Sequence, residues 1–119
     1  MAEDNAALAA VIRYNLERAG FRVSVGYNGR EAWQLAQDDQ FDLVLTDQQM
    51  PRISGVELCQ LLRQSDQYRD TPIIMLTAKG LELELPRLAE ELGITATFLK
   101  PFSPAELVQA VENCLTAVS

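Results

Sequence analysis

The sequence predicts a doubly wound α/β domain built on a parallel sheet, and two observations carry that prediction. Short apolar runs at Phe41–Thr46, Ile73–Leu76 and Ala96–Leu99 alternate with stretches whose apolar residues recur at helical spacing. Each run is also closed by a polar residue, Asp47, Thr77 or Lys100. In an open parallel sheet the C-terminal strand ends converge on the crevice where ligands bind.

The elements follow in order. Asp4 or Asn5 suits the N-cap of a first helix, in which Leu8, Val11, Ile12, Leu16 and Ala19 form an apolar stripe, and Gly20 ends it. Phe21, Val23 and Val25 alternate as in a strand near a sheet edge. Asn28-Gly29 makes a turn into a short helix with Ala32, Trp33 and Ala36 inward. Residues 41–46 read as a buried parallel strand. A helix is expected from Gly55 to about Gln64, its apolar stripe drawn from Val56, Leu58, Cys59, Leu61 and Leu62. Pro72 introduces the strand that ends at Thr77.

The next stretch is less regular. Leu81 to Leu85 alternate leucine with glutamate before Pro86, which is favoured at a first helical position, so a two-turn helix is expected over Pro86–Leu92. Leu83 and Leu85 are expected to be partly exposed or to cover a partner. Gly93 stops this helix and Ala96–Leu99 is the last strand. Ser103-Pro104-Ala105-Glu106 is a capping box with proline at N1, opening a helix to about Ala117 with Leu107, Val108, Val111, Cys114 and Leu115 inward.

Composition bounds the function. A chain of 119 residues makes one domain, 1–119, with a real core. A net charge of −7 disfavours direct contact with nucleic acid. The chain has no histidine, and so lacks the commonest general base, the commonest zinc ligand and any phosphohistidine of its own. Cys59 and Cys114 sit among apolar neighbours and read as buried free thiols, implying a reducing cytoplasm. No apolar stretch approaches the ~20 residues of a membrane span. The acidic start Met1-Ala2-Glu3-Asp4 is unlike a signal peptide.

A carboxylate, a hydroxyl and an ammonium at three successive strand ends, with Glu3 and Asp4 added, are the parts needed to phosphorylate an aspartate. A divalent cation such as Mg²⁺ would offset charge on the incoming phosphoryl group and would need further carboxylate oxygens. Thr77 and Lys100 supply donors to phosphoryl oxygens.

The pattern Glu3-Asp4, Asp47 with Met50-Pro51 and Gly55, Thr77-Ala78, and Lys100-Pro101-Phe102 resembles the receiver domain of two-component response regulators, from Glu3 to about Ala117. The resemblance implies a flavodoxin-like fold with sheet order 2-1-3-4-5. It implies Asp47 as phosphoacceptor, Thr77 and Lys100 on the phosphoryl group, and Mg²⁺ held by Glu3, Asp4, Asp47 and the Gln49 carbonyl, Asp4 being a more direct ligand than Glu3. It further implies a cis Lys100-Pro101 bond, and positions at Gln49 and Lys79 that tune hydrolysis. The implied partners are a sensor histidine kinase or phosphotransfer protein, and an output protein or domain. The domain would catalyse only its own phosphorylation and dephosphorylation.

Three departures qualify the resemblance. Only Met1-Ala2 precede the acidic pair, so most of the opening, central strand is expected to be missing. Losing four or five buried apolar side chains removes roughly 6–15 kcal/mol, comparable to a domain's whole stability of ~5–15 kcal/mol. Three resolutions are open: the chain begins upstream of Met1, Phe21–Val25 closes beside Phe41–Thr46 in a rearranged four-stranded sheet, or another chain fills the gap by swapping or strand addition; a rearranged or dimeric form is favoured, and Glu3-Asp4 would then leave the metal-binding geometry. Thr97 stands where receivers often carry an aromatic switch, and strand alternation turns Phe98 to the opposite face. The shortened fourth helix alters the usual signalling face. The competing reading is a phosphorylation-independent interaction module on a receiver scaffold. A metal-dependent phosphatase is disfavoured, since Gln49 supplies no second acid after Asp47.

Overall fold

Apolar strands with both faces covered form the centre of the molecule. A computed structural model describes residues 1–48, 54–78 and 85–118. Its elements are α1 (Ala6–Arg18), α2 (Gly29–Asp38), β1 (Val44–Asp47), α3 (Gly55–Gln64), β2 (Ile73–Thr77), α4 (Leu85–Leu92), β3 (Ala96–Leu99) and α5 (Pro104–Val118). The three strands are parallel in the order β1-β2-β3. Val44 stands opposite Ile73 and Asp47 opposite Leu76, while Thr77 stands opposite Leu99. That register brings Asp47, Thr77 and the residue after Leu99 to one edge of the sheet.

Helices cover both faces, as parallel strands require. On one face Leu58, Cys59 and Leu62 of α3 meet Ala36, Ile73 and Met75, with Trp33 partly buried beside them. On the other, Ile12 and Leu16 of α1 and Leu107 and Val111 of α5 pack on Leu45, Ile74 and Leu76. Helix starts match their caps: Asn5 Oδ1 accepts from the Leu8 N–H, and Ser54 with Glu57 forms a reciprocal capping box at α3. Cys59 and Cys114 are free thiols, the first buried and the second half-buried.

Several expectations change. The inward stripe of α1 is Ala9, Ile12 and Leu16; Val11 is 47% exposed, and Ala19 is the exposed C-cap. A spacing of three and four residues places positions 9, 12 and 16 on one face and turns 11 away. The strand expected at 41–46 begins only at Val44, where Ile73 first becomes available, and runs on through Asp47. Residues 21–25 form no regular strand, and they do not close against 41–46. Ala2 lies between, forming single parallel bridges to Gly26 on one side and Thr46 on the other. The sheet is therefore not rearranged: the N-terminal residues hold the slot beside β1. With one bridging residue there, residues 21–25 have too little partner to become a ladder.

Candidate functional site

Four short main-chain bonds fix the N-terminal segment. Ala2 N–H donates to Leu45 O at 2.8 Å and Asp47 N–H to Ala2 O at 2.9 Å; Gly26 N–H donates to Met1 O at 2.8 Å and Glu3 N–H to Gly26 O at 3.0 Å. Glu3 is thereby carried to the C-terminal edge of the sheet and fully buried, beside Asp47. Its Oε2 accepts from the Asn5 N–H at 3.1 Å. The carboxylates of Glu3, Asp4 and Asp47 each offer an oxygen within 4.8 Å of the others, with Asp4 exposed. The expected loss of this geometry does not occur, because pairing on both sides holds even a three-residue segment in register.

Lys100 closes the cluster. Its Nζ lies 2.9 Å from Glu3 Oε1 and 3.1 Å from Asp47 Oδ2. The backbone sets this position: Lys100 N–H donates to Thr77 O at 2.8 Å, and the Lys100-Pro101 bond is cis, as the resemblance implied. Glu3 Oε1 nonetheless accepts no aligned hydrogen bond, so a buried carboxylate oxygen faces the cluster with only charge to satisfy it.

These neighbours act on the titration of Asp47. Burial, then the Glu3 charge, push its carboxyl up to about 6 although Lys100 pulls the other way. Burial alone would lower Lys100; contacts with Glu3 and Asp47 outweigh it, and the ammonium is held above its ordinary range.

Thr77 is buried at the end of β2, and its hydroxyl donates to Gln48 Oε1. Gln48, itself buried, is a site residue that sequence reasoning missed. A glutamine following a strand-end aspartate carries no local signal of this contact. Gly55 is packed against the same strand end, its N–H donating to Gln48 O at 3.0 Å. On β3, Thr97 is exposed and Phe98 half-buried, its ring 6.0 Å from that of Phe102, so the two residues face opposite ways as alternation predicts. Gln49, Met50, Pro51, Lys79 and the 81–84 segment lie outside the described residues, as do the side chains of Leu83 and Leu85.

The model of the response regulator receiver domain matches residues 1–112. The chain belongs to this family. The receiver is 44% identical over 114 residues to the phosphate regulon transcriptional regulatory protein PhoB of Rhizobium meliloti, covering 95% of this chain and 49% of that one. It spans about half the length of the curated relatives it matches. Among solved structures, the receiver domain of the Francisella response regulator 1452 superposes with a TM-score of 0.89 at 28% identity, covering 99% of this chain and 95% of that one. The receiver domain of the sensor histidine kinase PA1611 from Pseudomonas aeruginosa PAO1, described with a magnesium ion coordinated in its active-site cleft, gives a TM-score of 0.85 at 29% identity, covering 97% and 93%. The fold is thus the flavodoxin-like receiver fold, and the role that of a signalling domain in two-component systems. No helix among the described residues is long and apolar enough to cross a membrane.

Proposed function

We propose that Asp47 of this receiver accepts a phosphoryl group from a phosphohistidine of a sensor kinase or phosphotransfer protein, or from a small donor such as acetyl phosphate, and that the modified domain controls an output protein or domain. The observation that carries this reading is the cluster of Glu3, Asp4 and Asp47 oxygens within 4.8 Å, bordered by the Lys100 ammonium. The donor set fits Mg²⁺, a hard cation that takes oxygen ligands. It consists of three carboxylates, one of them offering a buried oxygen without a hydrogen bond. Asp4 and Asp47 would hold the ion directly, with Glu3 beside it and the Gln49 carbonyl as a further ligand. Bound there, the cation would neutralise charge on the phosphoryl oxygens.

The chain's own residues do the rest. A carboxylate oxygen of Asp47 attacks phosphorus as the bond to the donor breaks, and the donor leaves as acetate or imidazole with its electron pair. Lys100, already 3.1 Å from Asp47, remains to pair with the transferred group. Thr77 gives up its bond to Gln48 and donates to a phosphoryl oxygen. That exchange biases a two-state equilibrium, the usual form of such switches. The domain is catalytic only toward its own phosphorylation and hydrolysis. The test is intact mass after incubation with acetyl phosphate and Mg²⁺, with Asp47→Asn as control. One phosphoryl group absent from the control is expected.

A second reading, a phosphorylation-independent interaction module, is favoured by one feature. Ala2 joins its two neighbours through isolated bridges and not through a ladder. Folded protein that gains no mass with either donor would select it. A homodimer and a cytoplasmic setting belong to both readings.

A further inference from the structure

The parallel register that carries Asp47 to the crevice also sets a second pair of side chains next to each other. Asp47 stands opposite Leu76, so Gln48, one position on, stands beside Thr77. The main chain of Gln48 is tied down on three sides. Its N–H donates to Leu76 O at 2.8 Å and to Asp47 Oδ1 at 3.1 Å, and its carbonyl accepts from the Gly55 N–H at 3.0 Å. Gln48 is 3% exposed and Thr77 1%, so bulk water does not compete for the bond from the Thr77 hydroxyl to Gln48 Oε1. Ala78 O lies 3.4 Å from the same hydroxyl, at the long limit for such a bond.

We propose that Gln48 is a positioning residue of this receiver, a buried acceptor that latches the Thr77 hydroxyl away from the phosphoryl group and so sets the rate at which Asp47 is modified. The inference rests on Asp47 as phosphoacceptor and adds a residue that regulates it. A threonine hydroxyl carries one proton. It donates either to Gln48 Oε1 or to a phosphoryl oxygen, never to both. Donation to the phosphoryl group takes from a buried amide oxygen a donor that bulk water does not replace, so release of the latch has a cost. A charged phosphoryl oxygen is a stronger acceptor than a neutral amide, and it offsets that cost once the group is in place. Before then only the released fraction of molecules is competent, and the rate falls in proportion to that fraction. Gln48 acts through Thr77 alone in this scheme. An apolar side chain of similar length removes the acceptor while leaving the main-chain ties to Leu76 and Gly55 in place. The Thr77 hydroxyl then keeps only the long contact to Ala78 O among these acceptors, and its transfer to the phosphoryl group becomes easier.

The test is the rate of mass gain from acetyl phosphate and Mg²⁺ in the full chain, measured for the parent, Gln48→Met, Thr77→Val and the double variant. Gln48→Met should gain its phosphoryl group about fivefold faster than the parent, the equivalent of one ordinary hydrogen bond. Thr77→Val should be slower than the parent, and adding Gln48→Met to it should change nothing, because the latch has no hydroxyl left to hold. A purely structural role for Gln48 would shift the rate alike in both backgrounds, and that result overturns the proposal. An unchanged or reduced rate in Gln48→Met overturns it as well. Gln48→Leu repeats the comparison where the first variant does not fold. A further measurement needs no substitution: the side-chain carbonyl carbon of Gln48, followed by NMR in the parent, should move upfield on phosphorylation as its donor leaves. An unmoved resonance in protein whose mass shows the phosphoryl group overturns the latch. Parent that gains no mass overturns the phosphoacceptor reading and the latch with it, whereas parent that gains mass at a rate indifferent to Gln48 overturns the latch alone.

Discussion

The Lys100 ammonium lies 2.9 Å from Glu3 Oε1, and Glu3 is completely buried. Without a metal this lysine is the counter-charge that makes burial of Glu3 tolerable. Lys100→Met should therefore destabilise the metal-free protein at pH 8 by roughly 3 kcal/mol, the cost of leaving a buried charge without its partner. Mg²⁺ should restore more stability to the variant than to the parent, because a cation replaces the missing ammonium. Thermal melts with EDTA and with Mg²⁺ read both effects; an unchanged Tm in EDTA would rule out the structural role.

Asp47 carries the opposite cost. Its carboxyl titrates at about 6 in the fold against an ordinary 3.8. Between those values the folded protein holds a proton that the unfolded chain has lost. The stabilisation from that proton is fully present below pH 3.8 and is lost as pH rises through about 6. Asp47→Asn removes the charge penalty, so metal-free variant should exceed the parent in stability above pH 6 by on the order of 1–3 kcal/mol. The difference should vanish near pH 4. A constant difference across that range, measured by urea unfolding, would show that desolvation and Glu3 do not act on Asp47 as described.

Most of this architecture is legible in the sequence, and the exceptions have a common cause. Ala96–Leu99 and Gly55–Gln64 are set by local signals, such as the capping box of Ser54 and Glu57, and they appear where the pattern puts them. Residues 21–25 alternate correctly yet form no strand, because a strand needs a neighbour and the one bridge on this side joins Ala2 to Gly26, just beyond them. The burial of Glu3 and the bond from Thr77 to Gln48 are likewise tertiary facts. The positions of Asp47, Thr77 and Lys100 follow from strand ends and parallel register, which the sequence does display.

Arg63 is a second place where one side chain ties distant segments. Its guanidinium donates to five carbonyls, those of Tyr68, Arg69 and Thr71 in the loop before β2 and those of Leu92 and Gly93 at the end of α4. Lysine keeps the charge but cannot reproduce this planar fork. Arg63→Lys should cost about 2 kcal/mol, since several of those carbonyls lose their donor. Hydrogen exchange should rise in α4 and in 68–72 more than in α1. A uniform change across the molecule would refute the clamp.

Gly55 couples the first turn of α3 to the phosphoacceptor strand. A Cβ there would stand 1.7 Å from Asp47 O and 2.8 Å from its carbonyl carbon, and both are main-chain atoms that cannot rotate away. Either α3 or the end of β1 must shift, and the bond from Gly55 N–H to Gln48 O is lost with it. Gly55→Ala should cost roughly 3 kcal/mol as overpacking against rigid backbone. Because the displaced strand end carries Asp47, phosphorylation by acetyl phosphate should slow at least tenfold even at a temperature where the variant is folded. Gly20→Ala provides the contrast. Gly20 has φ of +100° and open space about it, so a methyl group there meets strain without collision. That variant should lose only about 1–2 kcal/mol and phosphorylate at the parental rate. Equal loss of rate in both variants would mean that stability, not the contact between Gly55 and Asp47, governs the reaction.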